Sequence, residues 1–131
     1  MAAEIPTELE LLILKVLWEQ SPLTARQIRE VLAERGRELA HTSVITMLQR
    51  MVDKGQLDQL DPEVGKAFRF APVLSEADVS GRMLGDLIDR VFDGSAEAMM
   101  LSLFDVSDLD DDSLKRLRRA FNQKMREKND G

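Results

Sequence analysis

The sequence lacks cysteine and tyrosine altogether, and it has one histidine and one tryptophan among its 131 residues. Without cysteine, the chain cannot form a disulfide, a thiolate metal site or a cysteine nucleophile. No apolar run approaches the roughly 18 residues that a membrane span needs. The first residues also lack the basic and apolar regions of a secretory signal. We therefore expect no membrane insertion and a cytoplasmic location.

The charge of the whole chain argues against a general affinity for polyanions. Twenty-four acidic side chains against 18 Lys and Arg give a net charge of −6, which disfavours nonspecific binding to nucleic acid. Between residues 24 and 55 the balance reverses, with six basic and four acidic side chains. Any affinity for DNA would therefore have to come from this local patch.

Two capping boxes mark the starts of the first two helices. Thr7 is followed three residues later by Glu10, and Thr24 by Gln27, so each pair can exchange hydrogen bonds between side chain and backbone. Behind each box, apolar residues recur at spacings of three and four, as on one face of a helix. The sequence therefore predicts two consecutive amphipathic helices.

A third helix and a hairpin follow. The helix is predicted to begin near Thr42 or Ser43 and to end before Gly55, which suits a left-handed C-cap. Two short segments, 56–60 and 66–71, flank a turn that contains Asp-Pro and Gly, and they are predicted to pair as β-strands. Three helices followed by a hairpin is the order of a winged helix-turn-helix. We thus predict a mainly α fold with a small β-hairpin.

Pro72 divides the chain into two predicted domains, a winged-helix DNA-binding domain at 1–72 and a helical dimerisation domain at 73–131. The second region contains amphipathic helical patterns whose apolar stripes cannot all be buried within so short a segment. Dimerisation would cover them. The residues assigned to dimerisation are Leu84, Leu87, Val91, Leu103, Leu114, Leu117 and Phe121.

Few residues are available for catalysis or metal binding. His41 is the only histidine, and the acidic segment 105–112 lacks the glycine and terminal glutamate of a calcium loop. The glycines occur singly, so the sequence has no Gly-rich phosphate cradle. We predict a protein that is not an enzyme, with no cofactor and no metal site.

The polar face of the third helix is the strongest candidate for a functional surface. No acidic residue precedes Asp53 on this helix. Short hydroxyl groups can hydrogen-bond base edges, and an aliphatic side chain can touch a thymine methyl. The residues predicted to contact bases are Thr42, Ser43, Ile45 and Thr46. The alternative is an ordinary polar helix face on which Ile45 is a stray exposed residue.

Residues around this face are predicted to bind the DNA backbone, because amides, hydroxyls and cations at the periphery fix the register on phosphates. Two of them flank the turn of the predicted wing. The predicted backbone contacts are Thr24, Arg26, His41, Gln49, Arg50, Lys54, Lys66 and Arg69.

Several segments resemble the penicillinase-repressor family of the BlaI/MecI type. Residues 8–18 (ELELLILKVLW) and 22–26 (PLTAR) are similar to its opening, and residues 67–70 (AFRF) followed by Pro-Val are similar to its wing. The segment ending VFDGS (91–95) also looks like that family's. The likeness spans roughly residues 7–126. The positions that match its recognition-helix pattern are Thr42-Ser43-Val44, Thr46, Leu48, Arg50 and Lys54-Gly55.

The resemblance implies a homodimeric transcriptional repressor that binds a palindromic operator through its N-terminal domain. It also implies a membrane sensor protease as a partner, which in the best-known branch cleaves the repressor to induce transcription. By position the cleaved bond corresponds to Ser102-Leu103, where this sequence departs from the family's Asn-Phe. Ile45 also stands where relatives often carry a larger polar or basic residue.

Two other functions remain as alternatives to a DNA-binding repressor. A winged helix can act as a protein-interaction module, which the net charge of −6 would permit. The helical region can also hold a small molecule in a cavity lined by Met and Leu, which would make the protein a ligand-responsive regulator. A metal-dependent hydrolase has almost no support in the sequence.

Overall fold

The computed structural model describes residues 5–63 and 65–130. Within these ranges the chain forms six helices and three short strands. None of these helices combines the length and the apolar character needed to cross a bilayer. In chain order the elements are α1 (Glu8–Glu19), β1 (Leu23–Thr24), α2 (Ala25–Glu34), α3 (His41–Asp53), β2 (Leu57–Leu60), β3 (Arg69–Pro72), α4 (Glu76–Val91), α5 (Ala96–Val106) and α6 (Asp111–Asp130).

Both predicted capping boxes are present. The Thr7 hydroxyl accepts from the Glu10 amide at 3.2 Å while the Glu10 carboxylate accepts from the Thr7 amide at 2.8 Å. Thr24 and Gln27 repeat this exchange at 3.2 and 2.9 Å. Each box satisfies amide groups that lack a partner in the first turn of the helix, so α1 and α2 begin where the sequence predicts.

The strands form one antiparallel sheet in the order β1-β3-β2. The hairpin was predicted over 56–60 and 66–71, and its observed strands are β2 and β3. The strand β1 was not predicted. It pairs Leu23 with Phe70 and Thr24 with Arg69, which ties the segment before α2 to the second strand of the hairpin.

A buried apolar core lies between α1, α2, α3 and the sheet. Alternation along β3 turns Phe70 inwards, and helical spacing turns one side of each helix towards the same interior. Val79 of α4, which follows the sheet in sequence, also belongs to this core and is 1% exposed. The buried cluster comprises Ile13, Leu14, Val16, Leu17, Leu23, Ile28, Leu32, Val44, Leu48, Met51, Leu57, Phe70 and Val79.

Backbone contacts divide the chain into two compact units, the first ending at Asp86 and the second beginning at Leu87. The first unit extends beyond the predicted domain boundary after Pro72 because Trp18 donates to the carbonyl of Leu74 at 2.8 Å and Val79 joins the first core. Where the DNA-binding and dimerisation functions divide stays a prediction. The mainly α fold, with a winged helix followed by a helical region, is confirmed.

Candidate nucleic-acid interface

The helix α3 has one buried side and one exposed side. Val44, Leu48 and Met51 are fully buried against the core. The other side carries six exposed residues without an acid among them, and we call it the outer face. It consists of Thr42, Ser43, Ile45, Thr46, Gln49 and Arg50. All four predicted base-contact residues therefore lie together on an exposed surface.

The first turn of α3 differs from the prediction, because the helix begins at His41 with Ala40 as its N-cap. The methyl side chain of Ala40 cannot accept a hydrogen bond, so no side chain caps the first amides, and the first turn contains no acidic residue. Amide groups at a helix start carry partial positive charge. This end of α3 is therefore electrostatically suited to an anion such as a phosphate.

A shallow cavity of about 320 Å³ lies beside the outer face. The N-terminal part of α1 forms one wall through Leu9, and α3 forms the rest. Its polar lining consists of hydroxyl groups and a guanidinium, with no acidic side chain. The lining residues are Leu9, Thr42, Ser43, Thr46, Met47 and Arg50.

The predicted backbone contacts on α2 and α3 are exposed, but some already have partners. Arg26 lies 3.2 Å from the carboxylate of Glu30. The amide of Gln49 donates weakly to Asp53 at 3.4 Å. His41 and Arg50 are exposed near the two ends of the outer face. An exposed ion pair contributes little to stability, so the Arg26–Glu30 pair can be exchanged for a phosphate at low cost.

Lys54 differs from the other predicted backbone contacts because it forms an ion pair with a buried carboxylate. Its ammonium nitrogen lies 2.9 Å from a carboxylate oxygen of Glu10, which is only 2% exposed. Sequence reasoning did not predict this pair. Glu10 belongs to the capping box of α1 and is 44 residues away, so no local pattern connects the two residues.

The Glu10 carboxylate is held in its ionised form. Burial alone would raise the pKa of Glu10, but hydrogen bonds from the Thr7 amide, the Lys54 ammonium and the Gln56 side chain, together with the charge of Lys54, outweigh it and lower this pKa below its ordinary value. The buried Oε1 atom of Gln56 has no hydrogen-bond partner. This network fixes the start of α1, the end of α3 and the entry into β2 relative to one another.

The hairpin carries the two remaining backbone candidates. Lys66 is exposed near the turn, with its ammonium 4.0 Å from the carboxylate of Glu63. Arg69 is half-buried at the start of β3, and its Nε atom is buried without a hydrogen-bond partner. Thr24, which pairs with Arg69 across the sheet, uses its hydroxyl to cap α2. Phe68, exposed in the same hairpin, was not predicted as a site residue.

The residues assigned to dimerisation are all exposed. In the second unit, α5 and α6 enclose an open apolar groove of about 770 Å³, with Arg118 and Lys124 among its lining residues. Four of the assigned residues line this groove: Leu103, Leu114, Leu117 and Phe121. Leu84, Leu87 and Val91 lie on α4 outside it.

The bond between Ser102 and Leu103 lies within α5. A helical backbone must open locally before a protease can bind it in an extended form. In residues 5–63 and 65–130 no group of three or more His, Asp or Glu side chains is arranged to hold a metal ion.

Comparison with known proteins identifies the family. The family model described as "Penicillinase repressor" matches residues 6–123. The chain is 34% identical over 116 residues to the transcriptional regulator BlaI of Mycobacterium tuberculosis, covering 87% of this chain and 80% of that protein. It is 22% identical over 112 residues to the methicillin resistance regulatory protein MecI of Mammaliicoccus sciuri, covering 86% and 89%. It is 23% identical over 111 residues to the penicillinase repressor of Bacillus licheniformis, covering 85% and 84%. This chain therefore belongs to the penicillinase repressor family of transcriptional regulators.

Proposed function

We propose that this protein is a homodimeric repressor that binds a palindromic operator in double-stranded DNA and catalyses no reaction. The observation that carries the proposal is the outer face of α3, which exposes hydroxyl, amide, aliphatic and guanidinium groups with no acid among them. The molecule as a whole carries a net charge of −6, so a polyanion meets less repulsion at these six residues, and Asp53 at the C-terminal end is the one carboxylate on α3.

In this proposal α3 enters the major groove as a recognition helix. Thr42, Ser43, Ile45 and Thr46 contact base edges, while Arg50 and His41 bind phosphates near the two ends of the helix. A helix of this kind crosses the groove with its N-terminal residues nearest the bases. The uncapped start of α3 supports this orientation, because its amides favour a backbone phosphate.

Contacts from elsewhere in the first unit would set the register on the duplex. Thr24 and Arg26 at the start of α2, and Lys66 in the hairpin, flank the recognition helix in sequence and bind backbone phosphates in this proposal. The other proposed contacts with the DNA backbone are Gln49, Lys54 and Arg69. Contacts of this type position the protein without reading sequence, so their loss weakens binding to all duplexes alike.

Dimerisation is supported by the apolar surface of the C-terminal helices. Exposed leucine, valine and phenylalanine side chains recur along α4, α5 and α6, and exposed apolar surface of this kind is typical of a protein–protein interface. A two-fold dimer would place two recognition helices in successive major grooves, about one helical turn apart. That geometry requires a palindromic operator.

A second candidate function is ligand-responsive regulation, favoured by the open groove of about 770 Å³ between α5 and α6. Its apolar lining suits a hydrophobic molecule, and Arg118 and Lys124 suit an acidic group on it. In the dimer a second copy would cover Leu103, Leu117 and Phe121, so the two proposals compete for one surface. A thermal-shift screen of apolar acids against the purified protein distinguishes them, because only a ligand site gives a saturable rise in melting temperature.

The sensor protease remains a proposed partner for induction. Cleavage between Ser102 and Leu103 would remove α6 and part of α5, and with them most of the apolar groove. Intact-mass measurement of the protein from induced cells tests this, since cleavage would yield a fragment ending at Ser102. A full-length mass under every inducing condition would contradict it.

The decisive experiment for the repressor is selection of bound duplexes from a random pool, combined with light scattering. We expect the selected duplexes to share a palindromic sequence. We also expect a molar mass in solution of twice the 14.8 kDa of one chain. Failure to retain any duplex at low salt would contradict DNA binding and would favour a protein-interaction module. A palindromic site bound by a particle of single-chain mass would contradict the dimer.

A further inference from the structure

Ile45 is an apolar residue on an otherwise polar surface. Its side chain is 46% exposed, and it is neither part of the buried cluster nor among the hydrophobic residues packed against it. A β-branched residue also has a lower helix propensity than most alternatives. Ile45 therefore contributes little to the stability of α3, and its side chain is accessible to a partner.

The neighbours of Ile45 restrict what the outer face can read. Thr42 and Gln49 lie three and four residues away on the same helix surface, and Thr46 is adjacent in sequence. No Arg, Lys, Asn or Gln occurs between Thr42 and Thr46. The paired hydrogen bonds by which Arg or Lys reads guanine, and Asn or Gln reads adenine, are therefore unavailable at the centre of this face.

We propose that Ile45 is a specificity-determining residue that contacts the 5-methyl group of a thymine in the major groove. This inference rests on the proposed function and adds the identity of one base in each half of the operator. An aliphatic side chain has no donor or acceptor, so the thymine methyl is the one feature of the groove edge that it can recognise by burial. The contact replaces two exposed apolar surfaces by one buried interface.

The test uses duplexes selected from a random pool by the full-length chain. Each thymine of the selected site is replaced singly by deoxyuridine, which removes the methyl group and leaves the hydrogen-bonding edge unchanged. We expect one thymine in each half-site at which this replacement weakens binding by about fourfold, the effect of burying one methyl-sized group. The same replacement should have no effect on the Ile45→Ala variant, which lacks the contacting side chain.

Thr46→Ser is the matched control, because it removes a neighbouring methyl group and keeps the hydroxyl. Its sensitivity to deoxyuridine at the identified thymine should equal that of the wild type. Thermal unfolding checks that Ile45→Ala is folded, which its exposure leads us to expect.

The outcomes separate the inference from the function on which it rests. If no duplex is selected, DNA binding itself fails, and the thymine contact with it. If a duplex is selected but no deoxyuridine replacement weakens binding, or if Ile45→Ala keeps the full sensitivity, the protein is a DNA-binding regulator and the thymine contact is wrong.

Discussion

Lys54 and Glu10 join the end of α3 to the start of α1 through an ion pair of 2.9 Å. The carboxylate of Glu10 is almost fully buried, whereas the Lys54 side chain is 33% exposed. The pair therefore anchors the end of α3 to the start of α1.

Replacing Glu10 by glutamine should destabilise the first unit. The variant would remove the buried negative charge that faces the Lys54 ammonium and would weaken the hydrogen bond from the Thr7 amide. We expect a loss of about 2 kcal/mol in the free energy of unfolding, below the range for fully buried pairs because Lys54 is partly hydrated. Urea unfolding followed by circular dichroism measures it.

Glu8→Gln is the matched control for this variant. Glu8 pairs with Arg37 at 3.3 Å, and its side chain is 84% exposed, so its loss should cost less than about 0.5 kcal/mol. Equal destabilisation by the two variants would contradict a special role for the buried pair.

The contribution of Glu10 to the free energy of unfolding should decrease at low pH. The folded protein lowers the pKa of Glu10 below the ordinary value of 4.5, so the unfolded chain takes up this proton first as the pH falls. The stabilisation by Glu10 is complete above about pH 4.5, and it is lost as the pH falls through the pKa of Glu10 in the folded protein. Urea midpoints of the wild type and Glu10→Gln should differ at pH 7, and the difference should shrink as the pH falls below about 4.5. A constant difference across this range would refute the assignment.

Arg50→Ala and Thr46→Ala should affect DNA binding in different ways. Arg50→Ala removes a proposed phosphate contact, so it should weaken binding to all sequences and reduce the slope of log affinity against log salt by about 1. Thr46→Ala should lower the affinity ratio between operator and unrelated duplex by about fivefold, as the loss of one hydrogen bond predicts. Fluorescence anisotropy titration at several salt concentrations measures both. If both variants bind like the wild type, the placement of α3 on DNA is wrong.

Phe121→Lys should dissociate the proposed dimer. Phe121 is 57% exposed and lines the apolar groove of the second unit together with Arg118 and Lys124, so an ammonium group there would be buried beside like charges in any interface that covers the groove. We expect the mass from light scattering to fall to that of one chain. Asn122→Lys adds the same charge at an exposed neighbouring position outside the groove and should leave the mass unchanged. The dimer interface lies elsewhere if the two variants behave alike.

The helix starts that carry a polar cap could be predicted from the sequence, because a cap is a local interaction. Thr7 and Thr24 each lie three residues before the group with which they pair. The start of α3 was placed too late because Ala40 provides no side-chain signal. The strand β1 was missed for a related reason, since two residues are too short for an alternating pattern.

The outer face of α3 could also be predicted, since helical spacing alone separates Val44 and Leu48 from Thr42 and Thr46. The Glu10–Lys54 pair could not, because it depends on how two helices cross in the folded domain. Nor could the partial burial of Arg69, which follows from the pairing of β3 between two strands. Sequence patterns predicted the outer face, whereas tertiary packing determined that Lys54 pairs with Glu10 and that Arg69 is half-buried.

The pairing of β1 with β3 limits where the hairpin can accept insertions and deletions. Residues between Leu60 and Arg69 form a connection whose length can change at small entropic cost. Within β3, a shift of one residue would turn Phe70 out of the interior and would also detach Thr24 from Arg69. Insertions and deletions that accumulate during evolution should therefore be confined to the tip of the hairpin, where they leave the start of α2 undisturbed.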